Sequence, residues 1–420
     1  MGEHGSVGQV VRRLLDPAGL ADPYAIYREI RHAADTGAPT GRFLFRYPDV
    51  RAALYDPTLS SDRVSAILRP LPDPVLGEVD LLERTLRDIV VFHDPPDHRR
   101  LRALLTSAFT PRMVEQTRPL IERETDRLLD ELDTVGDGVM DLHGRLTYPL
   151  PATVVAAMLG IPEGDRAAFQ SWALDIVLVV GSGTLTPELA HRANASMARM
   201  RELMARLVQQ RRREPGPDLL SAMITASEDG ERLSLDELYA NALFLMTAGH
   251  ETATNMLSNA ILTLLRHPDQ LRLLGERPEL LDGAIEECIR YEGPVQIAAR
   301  IAVRDQEIRG VSVRAGQPLI LLIGAANRDP DVFGDPDWFD ITRADGPHVG
   351  FAQGAHYCLG AALARAEMRA VLPRLFARYP AARLAEAPVE WQPTLDFRGP
   401  TRLLVRPHRA AAGTAPELRR

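Results

Sequence analysis

The sequence predicts a mainly α fold with small β-sheets, an α+β arrangement, and three observations carry that prediction. Apolar residues recur at helical spacing almost continuously from Pro96 to Arg290. Within that span, residues 235–266 are long enough, and apolar enough nearly all round from Leu238 to Ile261, to run through the middle of a protein. After Arg290 the pattern changes to short segments punctuated by Gly, Pro and Asp, which read as strands and turns.

Taken in order, Asp22-Pro23 opens an amphipathic helix whose Tyr24, Tyr27 and Ile30 share a face. Residues 42–47 alternate as a strand and lead through Pro48 into a short helix at 49–54. The polar, proline-bearing stretch 60–79 is expected to be a loop with little regular structure, and a loop of that length inside a domain is more often functional than idle. The helical region is interrupted at 136–138, 160–164, 181–186 and 214–217. The long helix has Ser234 as its N-cap and Glu237 three residues later, a capping box, and His267-Pro268 ends it. Strands follow at 297–303 and 318–323, with a hairpin at 307–314 turning about Gly310. A helix at 361–379 and a last strand at 402–405 complete the chain.

At 420 residues, 45% hydrophobic and 25% charged with net charge -8, the chain can bury a large core. All 49 of its Lys+Arg cations are arginine. That excludes Schiff-base chemistry on a lysine and the lysine-dependent phosphate loop. Two cysteines make no disulfide framework, so the chain reads as intracellular, and no secretory signal opens it. No apolar run approaches the ~20 residues that span a bilayer, and no basic tract interleaves with aromatics, so neither a membrane span nor a nucleic-acid partner is expected.

The residues that carry chemistry lie in Phe351-Ala352-Gln353-Gly354-Ala355-His356-Tyr357-Cys358-Leu359-Gly360. Cys358 follows a glycine-containing loop and immediately precedes a helix, whose unpaired amides stabilise a thiolate, while the glycines let backbone approach a flat ligand. A lone cysteine is more often an inert buried thiol, and Cys288, embedded in a helix, is read that way. On the long helix, Gly249 weakens the helix and the Thr252 hydroxyl can bond back one turn, so the pair can open a groove beside Glu251, a residue costly to bury without a role. His250-Glu251 begins an H-E-x-x-H zinc motif, but Thr254 stands where the second histidine belongs, and that reading is rejected.

The Phe351–Gly360 segment resembles the haem-binding loop of the cytochrome P450 family, F-G-x-G-x-H-x-C-x-G. Glu287-Cys288-Ile289-Arg290 resembles the family's E-x-x-R helix motif, and Ala248-Gly249-His250-Glu251-Thr252 its oxygen-activating A-G-x-[DE]-T motif. The run from Asp94 to Arg102 is similar to the D-P-P-E-H-x-R-L-R stretch of soluble bacterial, actinomycete-like members. Ala352 departs from the pattern by replacing the loop's first glycine, which puts the local turn geometry in question if φ is positive there.

The resemblance implies the P450 fold, a single large triangular domain over 21–408, with 1–20 an N-terminal extension and 409–420 a flexible tail. It implies haem b (iron protoporphyrin IX) with Cys358 as axial metal ligand, and Phe351, Ala248, Gly249 and Gly360 against the cofactor. His98 and Arg102, four apart on one helical face, join Arg300 and His356 as propionate contacts. Glu287 and Arg290 form a structural ion-pair network, and Glu251 and Thr252 deliver protons in oxygen activation. The substrate pocket is expected from Val91, Phe92, Phe244, Thr247, Ala248 and Ile297, with Val90 nearby. No charge stands out among these, so the expected substrate is a mainly apolar small molecule. The implied activity is monooxygenation in secondary metabolism, hydroxylation or epoxidation, by a cytoplasmic monomer drawing electrons from ferredoxin and ferredoxin reductase. Atypical oxidative chemistry, or a silent haem-binding or recruitment domain, are the alternatives. Arg99, Arg100, Arg112, Arg365 and Arg369 read either as a basic face exposed to solvent or as a docking face for an acidic ferredoxin.

Overall fold

In the computed structural model the central helix forms over Leu235–Arg266, about 48 Å at the usual rise per residue. Ser234 Oγ accepts from Glu237 N (3.1 Å) and Glu237 Oε2 accepts from Ser234 N (2.8 Å), so the capping box is made in both directions. The side chains from Leu238 to Leu264 are buried on nearly every face. The structure describes residues 3–36, 42–136, 138–181, 185–226, 231–308 and 310–407; the expected tail at 409–420 lies outside them.

Around the central helix pack the helices Pro149–Met158, Glu163–Gly181, Pro187–Arg213 and Ala361–Arg378. They form one continuous apolar core through residues such as Leu101, Leu150, Met200, Leu257 and Leu372. Each such side chain contributes about 1.5–3 kcal/mol by leaving water. A four-stranded sheet stands apart from this bundle, in the order Phe43–Leu44, Pro318–Leu322, Ile297–Ala302, Leu59–Ser60. Its first pair is parallel and the others antiparallel, with Arg300 opposite Leu319. A three-stranded sheet (Met140–Asp141, Leu404–Arg406, Arg383–Leu384) and the hairpin of Gln306–Ile308 with Val311–Val313 complete the β component.

Two expectations change. The stretch 60–79 is not irregular: it holds the helices Val64–Leu68 and Asp73–Glu78. Val64, Leu68, Leu71 and Val79 bury into the main core, so tertiary packing stabilises helices too short to be read from periodicity. The strand expected over 42–47 is confined to Phe43–Leu44, because Tyr47 already begins the helix Tyr47–Tyr55 and its N–H donates to Asp329 Oδ2 (2.7 Å).

Glu287 and Arg290, on the helix Leu281–Tyr291, tie this framework together. Arg290 Nε and Nη2 donate to the Glu287 carboxylate (2.6 and 2.8 Å), and Arg343 Nε donates to it from the other side (3.2 Å). The free edge of Arg290 donates to the carbonyls of Asn327, Pro336 and Trp338. Every charge and donor is thus satisfied, the condition for burying an ion pair at all. The network fixes the irregular segment that leads into the Cys358 loop.

Candidate active site

The Cys358 loop is a chain of tight turns. Ala352 N donates to Val349 O (2.9 Å), Tyr357 N to Gly354 O (3.1 Å) and Cys358 N to Phe351 O (2.9 Å). Ala352 sits at φ +56 and Gly354 at φ +70. The question raised by Ala352 is therefore answered: alanine stands in a left-handed conformation, at a cost of roughly 1 kcal/mol relative to glycine. Gly354 is required for space as well, since a Cβ there would meet Leu54 O at 3.0 Å.

Gly360 caps the helix Ala361–Arg378, and the amides of Gly360 and Ala361 are directed at Cys358 Sγ. Burial raises the thiol pKa; those amides and the Arg102 and Arg365 guanidinia pull it down without reversing the shift. The helix end thus favours a thiolate in sign, but a coordinated cation is what completes the ionisation. Arg365 stacks over the Phe351 ring at 4.5 Å while chelating Glu286 (2.6 and 2.7 Å), which fixes the ring against the loop.

Cys358 faces a cavity of about 320 Å³ whose opposite wall is the central helix, through Phe244, Ala248, Gly249, Thr252 and Met256. A Cβ on Gly249 would lie 3.1 Å from Val155 Cγ2. Thr252 Oγ1 donates to Ala248 O (2.5 Å), the back-bonded conformation expected from sequence. Glu251 is buried, and Oε1 accepts from Gln392 Nε2 (2.8 Å) and Asn255 Nδ2 (3.4 Å). Burial raises the Glu251 pKa and the two amides moderate the shift. His250 instead points away, edge-to-face with Tyr148 and with Nε2 against Tyr148 O (3.2 Å), and burial pushes its pKa down to about 4.

At one edge of the cavity lie His98, Arg102 and His356. The His98 and His356 rings stack at 4.0 Å, and His356 Nε2 shares a hydrogen bond with Ser61 Oγ (3.0 Å). Burial, then the neighbouring His98, Arg300, Arg63 and Arg102, pushes the His356 pKa down to about 3. Arg300 is pushed down to about 10, chiefly by burial and then by Arg63. Asp94, the carboxylate acting in the opposite sense on His98 and Arg300, is already held by Ser60 Oγ and Ser61 N. Crowded, desolvated donors of one sign are a site awaiting anions. A thiol on one face, an open slot, and a focus of cationic and NH donors at its edge fit a planar group with one metal and two carboxylates.

A second cavity of about 200 Å³ adjoins the first and shares Val91, Phe244, Ala248 and Thr252 with it. Phe92, Thr247 and Glu251 also line it, so the expected pocket residues come together here with one exception. Ile297 does not line either cavity; it pairs with Leu322 and packs in the core with Tyr24 and Tyr27. The chain turns at Gln296, whose N–H donates to Asp396 O (2.9 Å) and whose Nε2 donates to Gly293 O (2.8 Å), and Pro294 and Val295 take the wall position instead. The expected basic face is also narrower. Arg100, Arg365 and Arg369 are paired with Glu237, Glu286 and Asp282, leaving Arg99 and Arg112 without an ion pair among the described residues.

Three site residues escaped sequence reasoning. Gln392 arrives from a distant loop to hold Glu251, and Arg63 enters the wall of the second cavity. Glu367 lies two turns beyond Cys358, 1% exposed, lining the larger cavity with neither carboxyl oxygen partnered. Burial alone pushes its pKa up to about 8. Its signal in the sequence is a carboxylate on the same helical stripe as Leu363 and Val371.

Fold and site together define a haem-thiolate oxidoreductase. The family model for cytochrome P450 matches residues 74–390, and the chain belongs to the cytochrome P450 family, whose members of this kind are monooxygenases. It is 42% identical over 416 residues to cytochrome P450 107B1 of Saccharopolyspora erythraea, covering 93% of this chain and 98% of that one. To the 6-deoxyerythronolide B hydroxylase of the same organism it is 38% identical over 399 residues, covering 92% and 96%. Among solved structures it is similar to P450BioI in complex with hexadec-9Z-enoic acid ligated acyl carrier protein (34% identity, TM-score 0.84, covering 93% of this chain and 100% of that one). No helix among the described residues is long and apolar enough to cross a membrane.

Proposed function

We propose that the chain is a tailoring monooxygenase that inserts one atom of dioxygen into a mainly apolar organic substrate, by hydroxylation or epoxidation. The observation that carries the reading is Cys358 at the head of its helix, facing Ala248, Gly249 and Thr252 across an open slot. Similarity to a 6-deoxyerythronolide B hydroxylase supports the hydroxylase reading. When bound, haem b supplies the activation of dioxygen, with electrons from NAD(P)H through ferredoxin reductase and ferredoxin.

The protein's own part is positioning and proton handling. With haem bound, Cys358 Sγ would hold its metal, and His98, Arg102, Arg300 and His356 would hold the two propionates, His356 as a neutral NH donor. The aliphatic walls of the second cavity exclude water and present the substrate. Gln392 and Asn255 occupy Glu251 Oε1, leaving Oε2 to carry a proton, which the raised pKa favours. Thr252, whose hydroxyl proton is given to Ala248 O, keeps its oxygen lone pairs free to accept a hydrogen bond from a guest in the cavity it lines. In Thr252→Ala, NAD(P)H consumption is expected to continue while product per NAD(P)H falls by roughly the 10²-fold typical of losing a proton-transfer group. Unaltered coupled product formation would remove Thr252 from the proton route.

A further inference from the structure

The second cavity is aliphatic and aromatic almost throughout, through residues such as Ile176, Val180, Met200, Leu243 and Phe397. Its charged residues are Glu251 and Arg63, the latter just after the strand Leu59–Ser60 and before the helix Val64–Leu68. The guanidinium lies 5.5 Å from the Phe92 ring centre. Its Nε is sealed from solvent and has no hydrogen-bond partner, and Arg63 makes no ion pair among the described residues. Glu251, the other charged residue in the wall, is occupied by Gln392 and Asn255 and gives Arg63 no counter-ion. The group that balances Arg63 electrostatically is Asp396, beyond salt-bridge distance and itself pushed up to about 7 by burial.

A guanidinium at the wall of an apolar chamber, with its Nε sealed and unpaired and only the Phe92 ring beside it, is costly, and a planar carboxylate from the chamber's guest is the group that offsets this best. Resting on the monooxygenase reading above, we infer that the substrate is amphipathic: an apolar body with a carboxylate that Arg63 binds inside the second cavity. A haem propionate carries the same chemistry. Arg63 lies near enough to Arg300 and His356 to act on both electrostatically, but of the two cavities it lines only the second, whereas His98, Arg102 and His356 line the larger one. The guest's carboxylate is therefore the anion assigned to it.

The test titrates the haem-loaded enzyme with decanoate and with methyl decanoate, reading the Soret shift, for the wild type, Arg63→Leu and Arg63→Lys. The wild type is expected to bind the acid at least tenfold tighter than the ester. Arg63→Leu should abolish that ratio by weakening the acid and sparing the ester, and Arg63→Lys should restore part of it. Equal binding of acid and ester by the wild type, or failure to bind the acid, overturns the proposal, and this comparison decides the matter even if the variants do not fold. A Leu variant that loses haem while keeping the acid-to-ester ratio also overturns it, assigning Arg63 to a propionate. Failure of the monooxygenase reading shows differently, as absence of thiolate-ligated haem in the wild type before any ligand is added.

Discussion

Glu367 makes the pH dependence of stability a direct probe of the cavity. Its carboxyl has no partner, and burial alone lifts its pKa from 4.5 to about 8. Because the folded pKa is the higher one, the folded state holds a proton that the unfolded chain has released. The stabilisation is complete below the unfolded pKa of 4.5 and is lost as pH rises through about 8. Between pH 5.5 and 7.5 the loss approaches ~1.4 kcal/mol per pH unit, so about 2–3 kcal/mol over the interval. For a chain of this length that is about 3 °C in Tm. Glu367→Gln keeps the shape, and also the unpartnered polar end, but cannot ionise. The gap between variant and wild-type Tm should therefore widen in the variant's favour by about that amount from pH 5.5 to 7.5. Calorimetry of both haem-loaded proteins at matched ionic strength measures it. A gap that does not change with pH would show instead that Glu367 is ionised or hydrated in the folded protein.

Two further variants test the framework. Glu287→Ala leaves Arg290 and Arg343 buried without their shared carboxylate, and the expected loss is about 3–5 kcal/mol by denaturant titration, against about 0–1 kcal/mol for the exposed pair partner in Arg84→Ala; similar losses for both would contradict the network's structural role. Ala352→Gly relieves a left-handed alanine worth roughly 1–2 kcal/mol but adds about 0.4–1 kcal/mol of unfolded-chain entropy, so a gain of about 0–1.6 kcal/mol with unchanged haem content is expected. A clear loss of stability would show that the alanine methyl's packing outweighs its backbone strain.

Where the physics is local, the sequence is legible. Ser234, Glu237 and His267-Pro268 delimit the central helix because caps and proline act over three or four residues, and Leu235–Arg266 forms at those limits. The Cys358 loop is legible for the same reason: glycines, ligand and helix start lie within ten residues. What escapes depends on distant chain. Val64–Leu68 and Asp73–Glu78 are too short for periodicity to register, and only the core beneath Val64, Leu68 and Val79 makes them helices. Ile297 is rotated inward by the hydrogen bond from Gln296 N to Asp396 O, a contact spanning a hundred positions that no local pattern records. Gln392 reaches Glu251 because Gly399 lets the returning backbone pass directly over Asn255, where any Cβ would collide with the amide oxygen at 2.0 Å. Arg63 looks like one of many surface arginines until the fold turns it inward.

Cys358, set at the head of its helix by the loop before it, is the proposed thiolate ligand of the haem. The most direct measurement is the absorption spectrum of the reduced, carbon monoxide-bound protein, for the wild type and Cys358→Ser at equal protein concentration. The wild type should show the red-shifted Soret band of a thiolate-ligated haem, and the serine variant should lose that band while its far-ultraviolet circular dichroism stays that of the folded chain. A wild type without the band, or a serine variant that keeps it, would contradict the account.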